Sequence, residues 1–141
     1  MNHIEIKKLK LLKVTWEKLD SFFIEDSLDE KVLYESHWVI IPLKGRTKVL
    51  KYLNVKFLNL RSAMRESLII ICPRIGFVKK NKRPCLLISQ IILDKLIQVK
   101  IQIELKDDLI SKIEICLIRN FSDIIFSEHE INYLQQNTKH Y

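Results

Sequence analysis

Apolar residues recur at helical spacing in two segments of the chain. In residues 9–23 they stand three or four positions apart, at Leu9, Leu12, Trp16, Leu19 and Phe23. In residues 47–63 the same spacing joins Leu50, Leu53, Phe57 and Leu60. Because such a stripe places its members on one side of a helix, the sequence predicts two amphipathic helices, each with one buried face.

Shorter signals surround these two helices. Residues 4–8 alternate apolar and polar side chains, which fits a short strand or a frayed turn. Residues 27–30 (SLDE) have the spacing of a capping box and predict one helical turn. Residues 32–41 are typical of a strand that Pro42 ends, and Gly45 supplies a turn conformation before the second helix.

The second half of the chain reads as a run of strands, over residues 68–79, 84–93, 96–105 and 111–119. Their connections are short: Asn81-Lys82, Asp94-Lys95 and the loop Lys106–Ile110. Because turns this short make neighbouring strands antiparallel, the sequence predicts a meander. A second capping box at residues 127–130 predicts a C-terminal helix over about residues 128–136.

The predicted turns also assign the two faces of the sheet. They pair Leu93 with Leu96, Ile88 with Ile101, Gln90 with Val99, Phe77 with Leu86, Ile75 with Ile88, Val99 with Leu117, Ile101 with Ile115 and Ile103 with Ile113. Because cross-strand partners share a face, one face is apolar except for Gln90. The opposite face carries most of the charged residues, together with Cys72, Cys85, Leu87, Ile91 and Cys116.

The apolar face needs a cover, and the two amphipathic helices supply one. The sequence therefore predicts an α+β fold, with a curved antiparallel sheet whose concave face the N-terminal helices cover. At 141 residues the chain has the length of one domain. We expect residues 1–141 to form that domain, with a core over about residues 9–119.

Composition excludes several classes of site. Two glycines leave no phosphate-binding loop and no dinucleotide fingerprint. Three cysteines without CxxC spacing encode neither a disulfide framework nor a zinc finger, and the four histidines are too scattered to indicate a metal. The amino terminus is too rich in lysine for a signal peptide, and no apolar run is long enough to span a membrane. We expect a soluble, cytoplasmic protein with no cofactor.

The order helix, short helix, strand, helix and strand meander resembles the nuclear transport factor 2-like superfamily, which includes the SnoaL-like cyclases. The matching segments are residues 34–39 (YESHWV), 42–46 (PLKGR) with 49–53 (VLKYL), 84–90 (PCLLISQ) and 111–115 (SKIEI). The similarity spans about residues 9–119 and is greatest to small bacterial members without an assigned activity. It implies a cone-shaped fold, a pocket between the helices and the curved sheet, and often a homodimer.

Enzymes and pure binders share that fold, so the candidate residues must decide the chemistry. An isomerase or cyclase needs a proton-transferring group, and the apolar face has none, so Glu35 and His37 at the rim are the catalytic candidates. The ordinary interpretation of Glu35 and His37 is that they form an exposed pair on the solvated face of their strand. The ligand-binding candidates are Tyr34, Trp38, Gln90, Trp16 and Phe23. Tyr34 and Trp38 suit a pocket and the core equally. A backbone group is the more common partner for Gln90, and Trp16 and Phe23 are core residues first.

We weigh four functions. The first is a non-catalytic binding module for a small apolar ligand, dimeric through the outer sheet face at Leu87, Ile91 and Ile118. The second is an isomerase, cyclase or dehydratase that uses the rim residues, and the third is a protein-interaction domain. The fourth is a nucleic-acid binder, because Lys and Arg total 24 against 17 for Asp and Glu, a net charge of +7. Against it, no aromatic residue interleaves the basic cluster Lys79–Arg83.

Overall fold

The computed structural model describes residues 3–37, 39–118 and 123–126. In chain order its elements are α1 His3–Lys18, α2 Phe22–Glu25, β1 Leu28–Ser36, β2 Leu43–Lys44, α3 Arg46–Arg65, β3 Ile69–Val78, β4 Pro84–Ile92, β5 Lys95–Lys106, β6 Leu109–Leu117 and β7 Ile124–Phe126. The two predicted helices and the four predicted late strands all correspond to elements of this list.

The strands form one sheet in the order β2-β1-β6-β5-β4-β3-β7. Strands β3 to β6 make the predicted antiparallel meander. The pair β1–β6 is parallel, so the sheet is mixed. The predicted α+β fold, with N-terminal helices on one face of the sheet, is confirmed.

The core lies between that face and the helices α1 and α3. Leu9, Leu12 and Trp16 of α1 and Leu53 and Phe57 of α3 are at most 3% exposed. They pack with buried side chains of the sheet, namely Val32, Tyr34, Ile75, Leu86, Ile88, Val99, Ile101, Ile103, Ile110, Ile113 and Ile115. The predicted apolar face is therefore the core face. Val49 on α3 is a further core residue that the predicted stripe omitted.

Two hairpins differ in register from the prediction. Ile88 pairs with Val99 and Ile75 pairs with Leu86, so each partner moves by two residues. The β4–β5 turn consists of Leu93 and Asp94, both with positive φ. Because a shift of two residues keeps every side chain on its face, the faces are correct although these pairs are wrong. The β5–β6 pairs from Val99 to Ile103 are as predicted.

A second, smaller apolar cluster lies on the outer face of the sheet. Cys85 and Leu87 are completely buried there, and they pack with Ile124 of β7 and with the partly buried Val78 and Ile118. These side chains follow the alternation of the outer face, but the chain after β6 covers them. Leu87 therefore belongs to this cluster and is not available to a dimer contact, contrary to our expectation.

Two local predictions at the amino-terminal end were wrong. Residues 4–8 belong to α1, and the helix stops at Lys18 because Leu19 takes a left-handed conformation (φ 51°), so Phe23 lies on the separate α2. Residues 28–30 begin β1 rather than a helical turn. The Ile110 N–H donates to the Ser27 carbonyl at 2.7 Å, so pairing with β6 overrides the local capping signal.

The predicted strand 32–41 corresponds to β1, which ends earlier, at Ser36. There the chain turns, and the Val39 N–H donates to the Ser36 carbonyl at 3.1 Å. Gly45 has the predicted turn role, with φ 104° immediately before α3. Trp38 and the C-terminal helix predicted over residues 128–136 lie outside the described residues. Among the helices of the described part, none combines the length and apolarity that crossing a membrane requires.

Candidate functional site

A cavity of about 310 Å³ lies where β1 ends beside β6. Its lining comes from both faces of these strands and from the following loop, and consists of Glu35, Ser36, His37, Val39, Pro42, Glu114, Ile115 and Cys116. Ser36 pairs with Ile115, and the preceding pair on the same face is Tyr34 with Ile113. Because two residues of a strand span about 6–7 Å, Tyr34 lies one step along β1 from Ser36 of the lining and does not itself line the cavity.

The outer rim of this cavity carries a small ion-pair network. Glu35 and Glu114 are direct partners in the parallel β1–β6 pairing. The Lys112 ammonium lies 3.5 Å from the Glu35 carboxylate and 3.4 Å from that of Glu114. Its hydrogen bond to Glu114, and then the charge of Glu35, raise the pKa of Lys112. Two carboxylates that would otherwise repel each other are thus held beside one cation.

His37 and Cys116 complete the rim. The Leu117 N–H donates to His37 Nδ1 at 3.3 Å, so Nδ1 is the acceptor nitrogen of this ring and Nε2 is the nitrogen left to face the cavity side. The Cys116 thiol lies 3.6 Å from a Glu114 oxygen. Burial and then the Glu114 charge raise the pKa of Cys116. Since a thiolate is the nucleophilic form of cysteine, Cys116 is poorly suited to nucleophilic catalysis.

On the core face, an aromatic group surrounds one lysine. The rings of Tyr34 and Tyr52 lie 5.3 Å apart, and Trp16 packs edge-on against Phe57 at 5.1 Å. The Lys56 ammonium lies 5.3 Å from the centre of the Trp16 ring and 5.9 Å from that of Tyr52. Burial lowers the pKa of Lys56, which places a desolvated cation among aromatic faces.

Tyr34 is the buried polar group of this region. The residue is 1% exposed, and its hydroxyl makes no well-formed hydrogen bond among the described residues, although the Tyr52 side chain is near enough to interact with it. Burial, and then the neighbouring Tyr52 side chain, raise the pKa of Tyr34. A buried hydroxyl without a partner is uncommon in a folded protein, so this position calls for an explanation.

A wider cavity of about 520 Å³ lies at the start of α3. Basic and acidic side chains both line it, namely Glu25, Glu30, Lys44, Arg46 and Lys48 with Gly45, Thr47 and Leu50. Arg46 also lies 3.5 Å from the Asp26 carboxylate. In the other basic cluster, Arg83 contacts Glu5 of α1 at 3.4 Å and donates to the Ile103 carbonyl. Nucleic-acid binding therefore stays a prediction from net charge.

Comparison with known proteins identifies the fold. No protein-family model and no curated protein matches the sequence, but solved structures do match. A steroid delta-isomerase from Pseudomonas aeruginosa superposes with a TM-score of 0.62 at 15% identity, over 87% of this chain and 85% of that one. A nuclear transport factor 2-like protein of unknown function from Mesorhizobium loti gives a TM-score of 0.62 at 9% identity, over 82% and 91%. The chain has the nuclear transport factor 2-like fold.

A third match has a different activity in its name. An epoxide hydrolase from Mycobacterium tuberculosis superposes with a TM-score of 0.54 at 13% identity, over 85% of each chain. Proteins of this fold that resemble the chain thus include a named isomerase, a named hydrolase and proteins of unknown function. The likeness fixes the architecture, and the chemistry must come from the residues of this chain.

Within the nuclear transport factor 2-like fold, the predicted site residues separate. Tyr34 and Trp16 belong to the core beside Lys56, whereas Glu35 and His37 line the rim of the cavity. Phe23 lies away from both, 37% exposed on α2. Gln90 pairs with Ile71 and Ile97 in the middle of the sheet and is partly buried. The structure therefore brings Tyr34 and Trp16 into one region and leaves Gln90 and Phe23 outside it.

The sequence analysis missed several residues of the aromatic group on the core face and of the cavity at the end of β1. Tyr52 and Lys56 are four residues apart on α3, flanking the apolar stripe, and that spacing is a signal in the sequence. Glu114 and Cys116 reach the cavity only through the parallel β1–β6 pairing, which leaves no local signal. In the described part of the chain, no three His, Cys, Asp or Glu side chains come together to hold a metal ion.

Proposed function

We propose that this protein binds a small amphipathic molecule at the end of β1, with the apolar part of the molecule in the 310 Å³ cavity. The observation that carries the proposal is the buried Tyr34 hydroxyl, which makes no well-formed hydrogen bond among the described residues and belongs to a residue one strand step from Ser36 of the cavity lining. A bound polar group would satisfy this hydroxyl and remove the cost of leaving it unpaired.

The size and lining of the cavity support a small ligand. Pockets for small molecules begin at about 300 Å³ and combine apolar walls with a few polar groups. Here Val39, Pro42 and Ile115 are apolar, and Ser36 is polar. The fold agrees with such a role, since it places the helices over a curved sheet, but it does not name a ligand.

The test is a thermal-shift screen with matched variants. The library contains small apolar acids and alcohols, sterol-like and polyketide-like compounds. We compare the wild type with Val39→Arg, which fills the cavity, and with Ile40→Arg, whose parent side chain is 99% exposed and does not line it. Binding at about 100 times the Kd stabilises a protein by about 2.7 kcal/mol. A compound that shifts the wild type and Ile40→Arg but not Val39→Arg supports the proposal.

Failure has an equally clear form. If no compound shifts the wild type, or if the shifting compounds act equally on Val39→Arg, the cavity is not a binding site and the proposal is wrong. A screen in which only an oligonucleotide shifts the protein, with the shift lost at raised salt, would favour the nucleic-acid alternative.

A proton-transferring enzyme is the second candidate, because the structure puts Glu35 and His37 on the rim of one cavity. Glu35 is the carboxylate that could accept a proton, and His37, whose Nδ1 accepts from the Leu117 N–H, could donate a hydrogen bond from Nε2 to the same ligand. Any turnover found with a compound from the screen should fall by at least about 100-fold in His37→Gln and in Glu35→Gln. Unchanged turnover in both variants would remove the enzyme candidate and leave binding intact.

A second copy of the chain is the partner that the outer face of the sheet fits best. Ile70, Ile91 and Leu96 are direct partners across β3, β4 and β5, and they are 60%, 42% and 61% exposed. The next row along the strands, Cys72 and Ser89 with Gln98, carries no formal charge. Two such faces can meet without opposing like charges. A wild-type dimer that Ile91→Arg dissociates in light scattering supports this arrangement, and a wild-type monomer at high micromolar concentration contradicts it.

A further inference from the structure

The excess of basic residues in this protein is concentrated on its two long helices. Together α1 and α3 carry eleven Lys and Arg against two Glu. The rest of the chain carries 13 Lys and Arg against 15 Asp and Glu. The net positive charge therefore lies on the helices, which cover one face of the sheet. The surface proposed for a dimer is on the opposite face, so dimer formation leaves the helices uncovered.

The side of α3 that points away from the sheet combines basic and apolar residues. Exposed residues recur there three or four positions apart, at Lys48, Lys51, Val55, Leu58, Ser62 and Arg65. Val55 and Leu58, in the centre of this stripe, are 56% and 54% exposed. The helix has no acidic residue anywhere along its length. The stripe thus has an exposed apolar centre between basic ends.

Phe22 extends the apolar centre at its side. The segment before α2 runs along α3, because the Ser21 hydroxyl donates to Asn54 Oδ1 and Arg61 donates to a backbone carbonyl just after α1. Leu58 is four residues after Asn54 and three before Arg61, so it lies between these two contacts on the same side of the helix. Phe22 follows Ser21 directly and is 71% exposed. Phe22 and the stripe of α3 together form one surface, here called the helical surface.

The charge of the helical surface is not compensated by ion pairs within the protein. In the part of the chain that the structure describes, no carboxylate pairs with Lys48 or Lys51. Two acidic residues of the neighbouring segment are engaged elsewhere. Asp26 pairs with Arg46 at 3.5 Å, and Asp20 accepts a hydrogen bond from the backbone at the start of α2 at 3.0 Å. The two lysines therefore keep a positive potential beside the exposed apolar side chains.

We propose that the helical surface docks on a membrane that contains anionic phospholipids, with its lysines at the lipid phosphates and Phe22, Val55 and Leu58 inserted among the headgroups. Charge complementarity supports this occupant, because a cluster of basic residues is attracted to an anionic leaflet. The apolar side chains project outward, and neither the 310 Å³ nor the 520 Å³ cavity includes them. Projecting side chains suit a fluid interface, in which an amphipathic helix lies with its apolar residues inserted.

A nucleic acid fits the helical surface less well. Its phosphates would pair with the lysines, but the centre of the stripe is aliphatic and offers no ring on which a base could stack. Docking on lipid uses both the basic and the apolar residues. It is peripheral and needs no helix that crosses the bilayer.

The test measures co-sedimentation of the full chain with two kinds of vesicle, phosphatidylcholine alone and phosphatidylcholine with one third phosphatidylglycerol. The variants Lys48→Gln/Lys51→Gln and Leu58→Gln change exposed side chains of the helical surface. The matched control is Lys95→Gln/Lys106→Gln, which removes the same two charges from exposed positions of β5. Circular dichroism shows whether each variant is folded, and a labelled oligonucleotide is titrated in parallel.

The wild type should bind the anionic vesicles at least about tenfold more tightly than the neutral ones, and raised salt should weaken that binding. Each basic residue near an anionic bilayer contributes roughly fivefold to the affinity, so Lys48→Gln/Lys51→Gln should weaken binding by about 25-fold, and the β5 control by less than about threefold. Leu58→Gln should weaken binding by about three- to tenfold, because it removes inserted apolar surface without changing the charge.

Three results with the vesicles would overturn the inference: no binding of the wild type to anionic vesicles, an equal loss in the β5 control and in Lys48→Gln/Lys51→Gln, or wild-type affinity in folded Leu58→Gln. Binding to the oligonucleotide but not to vesicles, weakened by the two lysine substitutions on α3, would also overturn it and would assign the helical surface to nucleic acid.

Discussion

Replacing Tyr34 with Phe separates the stability of this protein from its proposed function. The hydroxyl of Tyr34 is buried without a well-formed hydrogen bond among the described residues, in a residue that is 1% exposed. In the unfolded chain the same hydroxyl is bonded to water, so folding loses that interaction without replacing it. Tyr34→Phe keeps the ring and its packing against Tyr52 but removes the group that is left unsatisfied.

The size of the effect follows from the cost of an unpaired buried group. Leaving a buried hydroxyl without a partner costs about 1–3 kcal/mol. We therefore expect Tyr34→Phe to raise the free energy of unfolding of the ligand-free protein by an amount in that range. For a domain of this size the corresponding rise in Tm is roughly 3–10 °C. If the proposed site is real, the same variant is more stable and yet binds the ligand found in the thermal-shift screen less tightly.

The pH dependence gives an independent check of the same hydroxyl. Burial raises the pKa of Tyr34 above its ordinary value of 10.0, so the folded state resists ionisation that the unfolded state undergoes. Stability from this group is therefore complete below pH 10 and is lost as the pH rises above it. The loss is at most about 1.4 kcal/mol per pH unit, and Tyr34→Phe, which cannot ionise, should not show it.

The assay is urea unfolding of the wild type, Tyr34→Phe and Tyr52→Phe at pH 7 and at pH 10.8. Tyr52 is the control because the residue is only partly buried, so removing its hydroxyl should change stability by less than about 0.5 kcal/mol. Destabilisation by Tyr34→Phe at pH 7 would refute the reasoning, because it would show that the hydroxyl makes a favourable bond in the free protein. Equal alkaline losses in Tyr34→Phe and the wild type would refute the pH argument.

Three further predictions test the fold. Ile88→Ala should lower the free energy of unfolding in urea by about 2–5 kcal/mol, because Ile88 is fully buried. Ile91→Ala, on the outer face of the same strand, should lower it by less than about 1 kcal/mol. Similar losses in the two variants would mean that the faces of the sheet are misassigned. Burial raises the pKa of the Cys85 thiol to about 11. Iodoacetamide at pH 8 should therefore label the exposed Cys72 and spare Cys85, as peptide mapping can show. Early labelling of Cys85 would contradict its burial. A Cβ added at Gly45 would meet no atom closer than 3.9 Å, but the φ of Gly45 is 104°. Gly45→Ala should therefore lower the free energy of unfolding by about 1–3 kcal/mol through backbone strain alone. An unchanged Tm in this variant would argue against that conformation.

The faces of the sheet were predictable because burial has a period of two. Any shift of register by two residues leaves each side chain on its face, so Ile75, Ile88 and Ile101 were placed on the core face even though their partners were not all right. The exact turn was not predictable, since both registers of the β4–β5 hairpin bury the same residues. The structure decided it by placing Leu93 and Asp94 in the turn.

Local signals failed where a long-range contact competed with them. Residues 27–30 have a capping-box pattern, yet β1 begins at Leu28 because its backbone pairs with β6. Leu87 follows the pattern of an outward-facing strand residue, yet the segment after β6 covers it. In both cases the deciding partner is about 30 residues or more away in the chain, at a separation that no propensity or periodicity records.

The sequence by itself determined the two amphipathic helices, the strand meander and the composition of each sheet face, because helical and strand periodicities are properties of neighbouring residues. It also identified Tyr34 and Trp38 as large side chains with a polar tip, and Trp16 as a core residue. Only the tertiary structure placed Lys56 over Trp16 and buried the Tyr34 ring against Tyr52. Those relations depend on how α1 and α3 cross the sheet and on the parallel β1–β6 pairing, and packing between distant segments fixes both.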